Sequence, residues 1–201
     1  MSYLIPAEPI SIEQQVKRSL FRCSIAHCPD RGAAEIFIRR IALQHKDANH
    51  NCWAMIAGPP DEPQGYGMSD DGEPRGCAGK PMFTVLQHSG IGEIAVVVSR
   101  WFGGIKLGTG GMARAYSSSV QLGLTALTTI LKIHYSCLTL TLPYEYLQTV
   151  EYLLRQIEGK IIEQDYSEQI RLELEVPTER LNNFVQEIEE KSQGQIHYFR
   201  P

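Results

Sequence analysis

The alternation of apolar and polar positions predicts the first elements of the chain. Residues 10–26 hold two alternating runs on either side of a basic turn at 17–19, which is the pattern of a β-hairpin. Asp30 stands where a helix would begin, and apolar residues at helical spacing continue towards His45. Residues 94–98 form an unbroken run of β-branched and small apolar side chains, as in a strand covered on both faces. We therefore expect the first part of the chain to form a sheet with helices packed against it.

The pattern changes near residues 132–136, where we place a domain boundary. After it, the predicted order is strand, helix, strand, strand, helix, strand, and the two helices end at Gly159 and Gly194. This βαββαβ order is the ferredoxin-like pattern. The sequence therefore predicts an α+β protein with two domains, 1–134 and 135–201.

Charge is distributed unevenly between the two parts of the chain. The 201 residues carry a formal net charge of −4. Residues 1–135 hold 13 Lys and Arg against 11 Asp and Glu, whereas residues 136–201 hold 6 against 12. A protein that binds polyanions over its whole surface would be more basic than either part. Any contact with nucleic acid is therefore expected to be local and confined to the first domain.

The cysteines and the first residues bear on the cellular compartment. The five cysteines are odd in number and never fall as Cys-x-x-Cys, which argues against a disulfide framework or a zinc ribbon. His50 and Cys52 share one strand face, but an isolated pair of this kind is typical of packing. Residues 1–10 are neither basic nor apolar enough for a signal peptide, and no apolar run approaches membrane-spanning length. We expect a cytoplasmic protein that has no membrane partner.

Residues 65–111 concentrate the glycines and charges that could carry a function. Residues 104–111 (Gly-Ile-Lys-Leu-Gly-Thr-Gly-Gly) do not match the phosphate loop G-x-x-x-x-G-K-[ST], and residues 76–81 place proline where that loop needs serine or threonine. The glycine spacing of a Rossmann fold is also missing. We therefore expect neither a nucleotide-hydrolysing site nor a cofactor.

A helix is expected to begin at Thr109, and its start is the first candidate site. The free N–H groups of Thr109, Gly110 and Gly111 would face an anion, and Lys106 and Arg114 flank them. The alternative is that these glycines only allow a tight turn from strand to helix.

Charged and aromatic side chains meet where the buried strand ends. Arg100 leaves the core beside Trp101 and Phe102, a combination suited to stacking on exposed bases and holding phosphates. The alternative is that one of the two rings only seals the end of the sheet. The cations expected to converge on one face are Arg100, Lys106 and Arg114, with Arg75 and Lys80 at its edge.

Residues 65–79 are expected to form a surface loop, because they contain too many glycines and carboxylates for the interior of an element. The carboxylates Asp70, Asp71 and Glu73 could bind a hard cation or act as general acid and base, although the loop lacks the spacing of an EF-hand. The alternative is a solvent-exposed turn in which they cap the loop or pair with nearby arginine and lysine.

Two segments of this region resemble a known family. Residues 69–81 (Ser-Asp-Asp-Gly-Glu-Pro-Arg-Gly-Cys-Ala-Gly-Lys-Pro) and 100–111 (Arg-Trp-Phe-Gly-Gly-Ile-Lys-Leu-Gly-Thr-Gly-Gly) resemble the two signature blocks of the IMPACT family, in its bacterial YigZ-like branch. Residues 17–21 and 50–52 resemble lesser blocks of the same family. Cys77 departs from the pattern, since the family more often has threonine there.

The resemblance implies an N-terminal α/β domain of the ribosomal-protein type with a left-handed βαβ crossover. It also implies a C-terminal domain like the last domain of elongation factor G. Eukaryotic members of the family regulate translation by interfering with activation of an initiation-factor kinase through an additional N-terminal domain, and we do not expect that partner here. For bacterial members, the resemblance implies association with nucleic acid or with the ribosome.

Three hypotheses for the function follow. The first is a non-enzymatic RNA- or ribosome-associated protein that acts in translation or its regulation, with a second domain that orients the first or contacts a protein partner. The second is a metal-dependent enzyme that acts on a small phosphorylated or peptide substrate through Asp70, Asp71 and Glu73. The third is a protein-interaction module that uses the sheet of the C-terminal domain.

Overall fold

The computed structural model describes residues 2–200, whose contacts form two compact units. The first unit is Tyr3–Lys132, and the second consists of residues 133–200 together with Ser2. Each unit contains its own hydrophobic core. The mixed content of helices and strands confirms the α+β class. No helix within residues 2–200 combines the length and the apolar content needed to cross a membrane.

The first unit contains both strands and helices. Its strands are β1 (Tyr3–Pro6), β2 (Ile10–Val16), β3 (Ser19–His27), β4 (His50–Ile56), β5 (Tyr66–Ser69), β6 (Ile94–Trp101) and β7 (Thr129–Lys132). Its helices are α1 (Arg31–Gln44), α2 (Gly79–Ser89) and α3 (Thr109–Ala126). Asp30 caps α1 as predicted, because its side chain accepts a hydrogen bond from the N–H of Ala33.

The main sheet has β6 at its centre. The strand order is β2-β3-β6-β4-β5, and every neighbouring pair is antiparallel. β3 and β4 are therefore parallel to each other on either side of β6 and are joined by α1, while α2 joins β5 and β6 around β4. α1 packs on the face that carries Ala95 and Val97, and α2 and α3 pack on the face that carries Val96 and Val98. This cover on both faces explains the unbroken apolar run of β6.

The topology gathers several chain segments at one end of the strands of this sheet. Arg100, near the end of β6, pairs with Phe21 near the start of β3 and with His50 at the start of β4. β5 ends towards the same edge, because Ser69 pairs with Trp53 of β4. α2 and α3 both begin there, since they follow β5 and β6 in the chain. We call this end of the sheet, where the strands meet around Arg100, the Arg100 edge.

The turn between β2 and β3 also lies at the Arg100 edge. Lys17 and Arg18 both have positive φ, at 44° and 68°, as in the two-residue hairpin turns that match the twist of the strands. A Cβ at Gly103 would lie 2.0 Å from the carbonyl carbon and oxygen of Arg18. This close approach requires glycine at position 103, and it holds two exposed cations beside the loop that follows β6.

The prediction of a surface loop for residues 65–79 was wrong in part. Tyr66–Ser69 forms β5, and Glu73 is buried. The prediction took Gly67 as a sign of a loop, but Gly67 lies within a strand and allows close packing. A Cβ at this position would lie 2.5 Å from Cε of Met55. The loop proper therefore starts at residue 70 and folds back into the protein.

The buried carboxylate of Glu93 links the remaining strands of the first unit, β1 and β7, to the main sheet. β1 and β7 pair with each other outside the main sheet. Glu93, just before β6, accepts hydrogen bonds from Tyr3 of β1, His27 of β3 and Lys132 of β7. Burial raises the pKa of Glu93, but the hydrogen bonds from Lys132, His27 and Tyr3 outweigh it and hold the pKa below its ordinary value. Glu93 is therefore a charged anchor between the two sheets.

The second unit has the ferredoxin-like arrangement that the order of elements predicts. Its elements are β8 (Tyr135–Leu142), α4 (Leu147–Gln156), β9 (Lys160–Tyr166), β10 (Ile170–Pro177), α5 (Leu181–Ser192) and β11 (His197–Phe199). The strand order is β11-β8-β10-β9, with all neighbours antiparallel. Apolar residues of β8, β10 and both helices form its core.

Candidate functional site

A cleft opens at the Arg100 edge, between the end of β6 and the start of α3. Its volume is about 410 Å³, which lies within the range of small-ligand sites. Its polar lining includes His50, Glu73, Arg100, Lys106 and Thr109. Its apolar lining comes from Pro74, Phe102, Leu107 and Met112. The cleft therefore brings together five of the candidate site residues from the sequence, namely Glu73, Arg100, Phe102, Lys106 and Thr109.

Two other concavities of similar volume involve α1. One, of about 470 Å³, is lined by five residues of that helix, and the other, of about 460 Å³, lies between α1 and the β2–β3 hairpin. Neither lies at the start of a helix, and neither is lined by a carboxylate. The cleft at α3 is therefore the stronger candidate for a site with chemistry.

The start of α3 presents unpaired backbone donors. No side chain caps this helix, and within residues 2–200 the N–H groups of Thr109, Gly110 and Gly111 have no protein acceptor. The helix dipole adds roughly half a positive elementary charge at this end. The tight turn explains Gly104 and Gly108, whose φ is positive, but not Gly110, where a Cβ would meet nothing within 4 Å. The arrangement suits an anion placed against the first turn of α3.

Lys106 supplies a full positive charge to the same place. Its side chain lines the cleft and is exposed, and no acidic group of the described residues forms a salt bridge with it. Arg75, Lys80 and Arg114 are also exposed near the starts of α2 and α3, but they do not line the cleft.

Arg100 lines the cleft as a buried group, so the prediction that it emerges from the core was wrong. Only 6% of Arg100 is exposed, and its Nη1 donates a hydrogen bond to Oε1 of Glu73 at 2.5 Å. Its guanidinium lies between the rings of Phe21 and Phe102, 5.6 and 5.7 Å from their centroids, with Sδ of Met112 at 3.5 Å from Nη1. The alternation of β6 puts Arg100 on the same face as Val98, which α3 covers. Its Nε has no hydrogen-bond partner in the described part of the chain.

Glu73 is at the centre of a buried hydrogen-bond network. Oε1 of Glu73 also accepts a hydrogen bond from Oη of Tyr116 at 2.8 Å, and Sγ of Cys52 lies 3.3 Å from that hydroxyl. Burial raises the pKa of the Tyr116 hydroxyl far above its ordinary value and raises the pKa of Cys52 to about 12. Both groups therefore keep their protons at neutral pH. Tyr116 holds Glu73 in place, and Cys52 in turn contacts Tyr116.

His50 completes the wall of the cleft, contrary to its expected role in packing. Its Nδ1 lies 2.7 Å from the carbonyl oxygen of Asp71. A carbonyl only accepts hydrogen bonds, so Nδ1 carries a proton and donates the hydrogen bond to Asp71. Nε2 lies 4.0 Å from Oε2 of Glu73. Neither periodicity nor composition pointed to this residue, although it belongs to a lesser family block.

The three carboxylates of the loop have different hydrogen-bond partners. Asp70 accepts three backbone hydrogen bonds, from Gly76 at 2.8 Å, Ala78 at 3.0 Å and Gly79 at 2.9 Å. Burial raises the pKa of Asp70, but these N–H groups outweigh it and lower the pKa below its ordinary value. Asp71 accepts a hydrogen bond from the N–H of Asn51, and Glu73 is paired with Arg100. Among residues 2–200, no group of three or more His, Cys, Asp or Glu side chains is placed to hold one metal ion.

Trp101 and Phe102 lie in different surroundings. Trp101 donates a hydrogen bond from Nε1 to Asp47, and its ring packs edge-on against His45, 5.4 Å between centroids. Arg22 lies over the same ring. Phe102 is 47% exposed and lines the cleft. Of the two aromatic residues, Phe102 is therefore the one available to stack on a ligand in the cleft.

Comparisons with known proteins define the class to which this fold and cleft belong. Residues 17–124 match the Impact N-terminal domain, and residues 140–195 match a domain of unknown function, DUF1949. The chain belongs to the IMPACT family, which confirms the resemblance of its signature blocks.

The similarity to individual members extends over nearly the whole chain. The chain is 42% identical to the IMPACT family member YigZ of Escherichia coli (strain K12) over 195 residues, which cover 97% of this chain and 96% of the relative. It is 35% identical to the IMPACT family member YvyE of Bacillus subtilis (strain 168), over 96% and 88% of the two chains. A solved structure described as "Crystal structure of an hypothetical protein" is 41% identical, with a TM-score of 0.68, and the match covers 100% and 97% of the two chains.

Proposed function

We propose that the protein binds single-stranded RNA, free or on the ribosome, and acts in translation or its regulation. The observation that carries this proposal is the open first turn of α3. Its N–H groups at Thr109, Gly110 and Gly111 have no acceptor within residues 2–200, and Thr109 lines the cleft together with Lys106. A phosphate group fits this combination of backbone donors, helix dipole and lysine.

The surroundings of the cleft favour RNA over a small free anion. Phe102 offers an exposed ring on which an unpaired base can stack. Lys17 and Arg18 are held at the same edge by the close contact of their turn with Gly103, and both are exposed. A strand that places one phosphate at α3 can reach these cations with its neighbouring phosphates.

A salt series with labelled RNA tests the proposal. Fluorescence anisotropy of a fluorescein-labelled ten-nucleotide single-stranded RNA is measured with the whole chain at several salt concentrations. Loss of one phosphate contact should reduce the slope of log K against log salt by about 0.7 for a single strand. We expect this reduction in Lys106→Ala and an unchanged slope in Lys191→Ala, where an exposed lysine of the second unit is removed. Affinity that does not depend on salt, or equal effects of the two variants, would contradict the proposal.

A second variant distinguishes the loss of the binding site from a loss of protein stability. Thr109→Asp places a carboxylate at the first turn of α3, where negative charge stabilises a helix by about 0.3–1 kcal/mol. The same carboxylate repels a phosphate from that turn. We expect RNA affinity to fall at least about tenfold, which corresponds to roughly 1.4 kcal/mol, while thermal stability stays equal or rises. Unchanged affinity would show that the phosphate does not bind at α3.

A further inference from the structure

We propose that the outward face of α1 is a docking surface for an acidic amphipathic helix of a partner protein. This surface consists of Ile36, Arg39, Arg40 and Leu43, and we call it the α1 face. None of its residues lines the cleft at α3, so the proposal goes beyond RNA binding and does not depend on it. It is carried by two highly exposed aliphatic side chains that stand among arginines.

The α1 face carries aliphatic side chains where a surface helix normally has polar ones. Leu43 is 76% exposed and Ile36 is 67% exposed, the two highest values among the large apolar side chains of residues 2–200. Both lie on the side of α1 opposite to its buried residues Ala34, Phe37 and Ile41. By comparison, the exposed positions of α5 hold only Asn, Gln, Glu and Lys. Two such side chains on one helix face are typical of an interaction site, whereas isolated exposed apolar residues are common.

The charged side chains of the α1 face are both arginines. Arg39 lies between the two aliphatic side chains along the helix, one turn from each. It contacts Glu35 at 3.4 Å, but an exposed pair of this kind contributes little. Arg40 lies over the ring of Phe37, and within residues 2–200 it forms no salt bridge. The face therefore offers positive charge that the protein itself leaves largely uncompensated.

The shape of this surface suits an elongated partner. The concavity of about 470 Å³ on the α1 face shares Arg40 and Gln44 with the concavity of about 460 Å³ that reaches the β2–β3 hairpin. Ile10 and Ile41 line the second concavity, so apolar contacts continue from α1 towards the hairpin. A helix that binds to such a surface uses apolar side chains at positions i, i+3, i+4 and i+7.

Charge favours an acidic helix over two other occupants. The α1 face of a second copy would bring the same arginines together, and like charges in close contact are unfavourable. Nucleic acid would pair with the arginines, but it stacks on aromatic rings and would leave Ile36 and Leu43 without an apolar partner. A helix that carries glutamates beside aliphatic residues complements both the charge and the apolar surface.

Two synthetic peptides test the proposal. The acidic probe is a fluorescein-labelled, helix-stabilised peptide about as long as α1, with leucines at i, i+3, i+4 and i+7 and glutamates at the flanking positions. The control peptide has lysine in place of every glutamate. Fluorescence anisotropy with the whole chain should show that the acidic probe binds at least about tenfold more tightly than the control. Equal affinities, or tighter binding of the lysine peptide, would overturn the inference.

Two variants assign the binding to α1. Ile36→Ser/Leu43→Ser should weaken binding of the acidic probe at least about tenfold, because apolar anchors provide most of the affinity in such contacts. The urea midpoint should change little, since both side chains are exposed. Leu122→Ser, which removes an exposed leucine of α3, should leave the affinity unchanged. Equal affinities of the double variant and the wild type, or an equal loss in Leu122→Ser, would contradict docking at α1.

A charge reversal keeps the test decisive if the serine variant is unstable. Arg39→Glu/Arg40→Glu should reverse the preference, so that the lysine peptide binds more tightly than the acidic probe. An unchanged preference for the acidic probe would refute the role of the arginines.

Sedimentation velocity and competition exclude the other occupants. We expect the sedimentation coefficient to be the same in the wild type and in Ile36→Ser/Leu43→Ser. A wild-type dimer that this variant dissociates would assign the α1 face to a second copy instead. Displacement of the acidic probe by single-stranded RNA would assign the face to nucleic acid, and we expect no displacement.

Discussion

Replacing Glu73 by Gln tests whether the ion pair of Glu73 and Arg100, which forms the floor of the cleft, is buried and stabilises the fold. Glu73 is 7% exposed and Arg100 is 6% exposed, and their contact is 2.5 Å long. Glu73→Gln keeps the shape of the side chain and removes its charge. The guanidinium of Arg100 would then stay buried between two aromatic rings without a counter-charge.

The expected cost follows from this burial. Removing one partner of a buried ion pair destabilises a protein by about 3–5 kcal/mol, because the other charge is left without compensation. The free energy of unfolding of a small protein falls by about 2 kcal/mol for each molar of urea. A loss of about 3–5 kcal/mol of stability therefore lowers the urea concentration at the midpoint of unfolding by roughly 1.5–2.5 M. This shift is large compared with the precision of such a measurement.

Tryptophan fluorescence is a suitable assay for this shift. The chain contains two tryptophans, Trp53 and Trp101, and both belong to the first unit. Urea unfolding followed by their emission therefore reports the unit that holds the cleft.

The control is the same substitution in an exposed pair. Glu35 contacts Arg39 across one turn of α1, with side chains that are 48% and 73% exposed. Glu35→Gln should cost at most about 0.5 kcal/mol, as exposed helix pairs do. If Glu73→Gln cost no more than Glu35→Gln, the pair between Glu73 and Arg100 would be solvated, and our account of the cleft floor would be refuted.

Three further predictions concern other parts of the chain. Gly103→Ala should destabilise the first unit by about 1–3 kcal/mol in urea unfolding, because the new Cβ would lie 2.0 Å from the backbone of Arg18. Glu93→Gln should lower stability at neutral pH, and the gap to the wild type in urea unfolding should close as the pH falls through the lowered pKa of Glu93. One thiol in five, that of Cys137, should react quickly with a thiol reagent in the native protein, because the other four cysteines are buried.

Each of these predictions has a matched control. Gly110→Ala adds a Cβ that meets nothing within 4 Å, so it should be neutral or stabilising, and a loss equal to that of Gly103→Ala would contradict the close contact. A gap between wild type and Glu93→Gln that widens in acid would contradict the sign of the pKa shift. Cys137→Ser should abolish the fast reaction, and rapid modification of a second thiol would contradict the burial of the others.

Local rules were sufficient for most of the architecture. The hairpin turn at Lys17 and Arg18 and the capping of α1 by Asp30 depend on residues close in the chain, so the sequence could reveal them. The ferredoxin-like order followed from periodicity and from two helix-terminating glycines. β5 was missed, because it has four residues and contains Gly67.

The site depended on contacts that no local rule describes. Arg100 and Glu73 are 27 residues apart, and Tyr116 and Glu73 are 43 apart, so their network exists only after the sheet and α3 have formed. His50 reaches the cleft because its strand pairs with β6, and the sequence pattern alone suggested packing. Lys106 and Thr109 line the same cleft because only a short stretch of chain separates them.

An NMR titration of the isotope-labelled chain with a short single-stranded RNA tests whether a phosphate of the RNA binds at the open first turn of α3. The largest shifts of backbone N–H signals should occur at Thr109, Gly110 and Gly111, with smaller shifts at Lys106 and His50. Shifts centred on α1 or on the second unit, with the signals of Thr109–Gly111 unchanged, would contradict binding of the phosphate at α3.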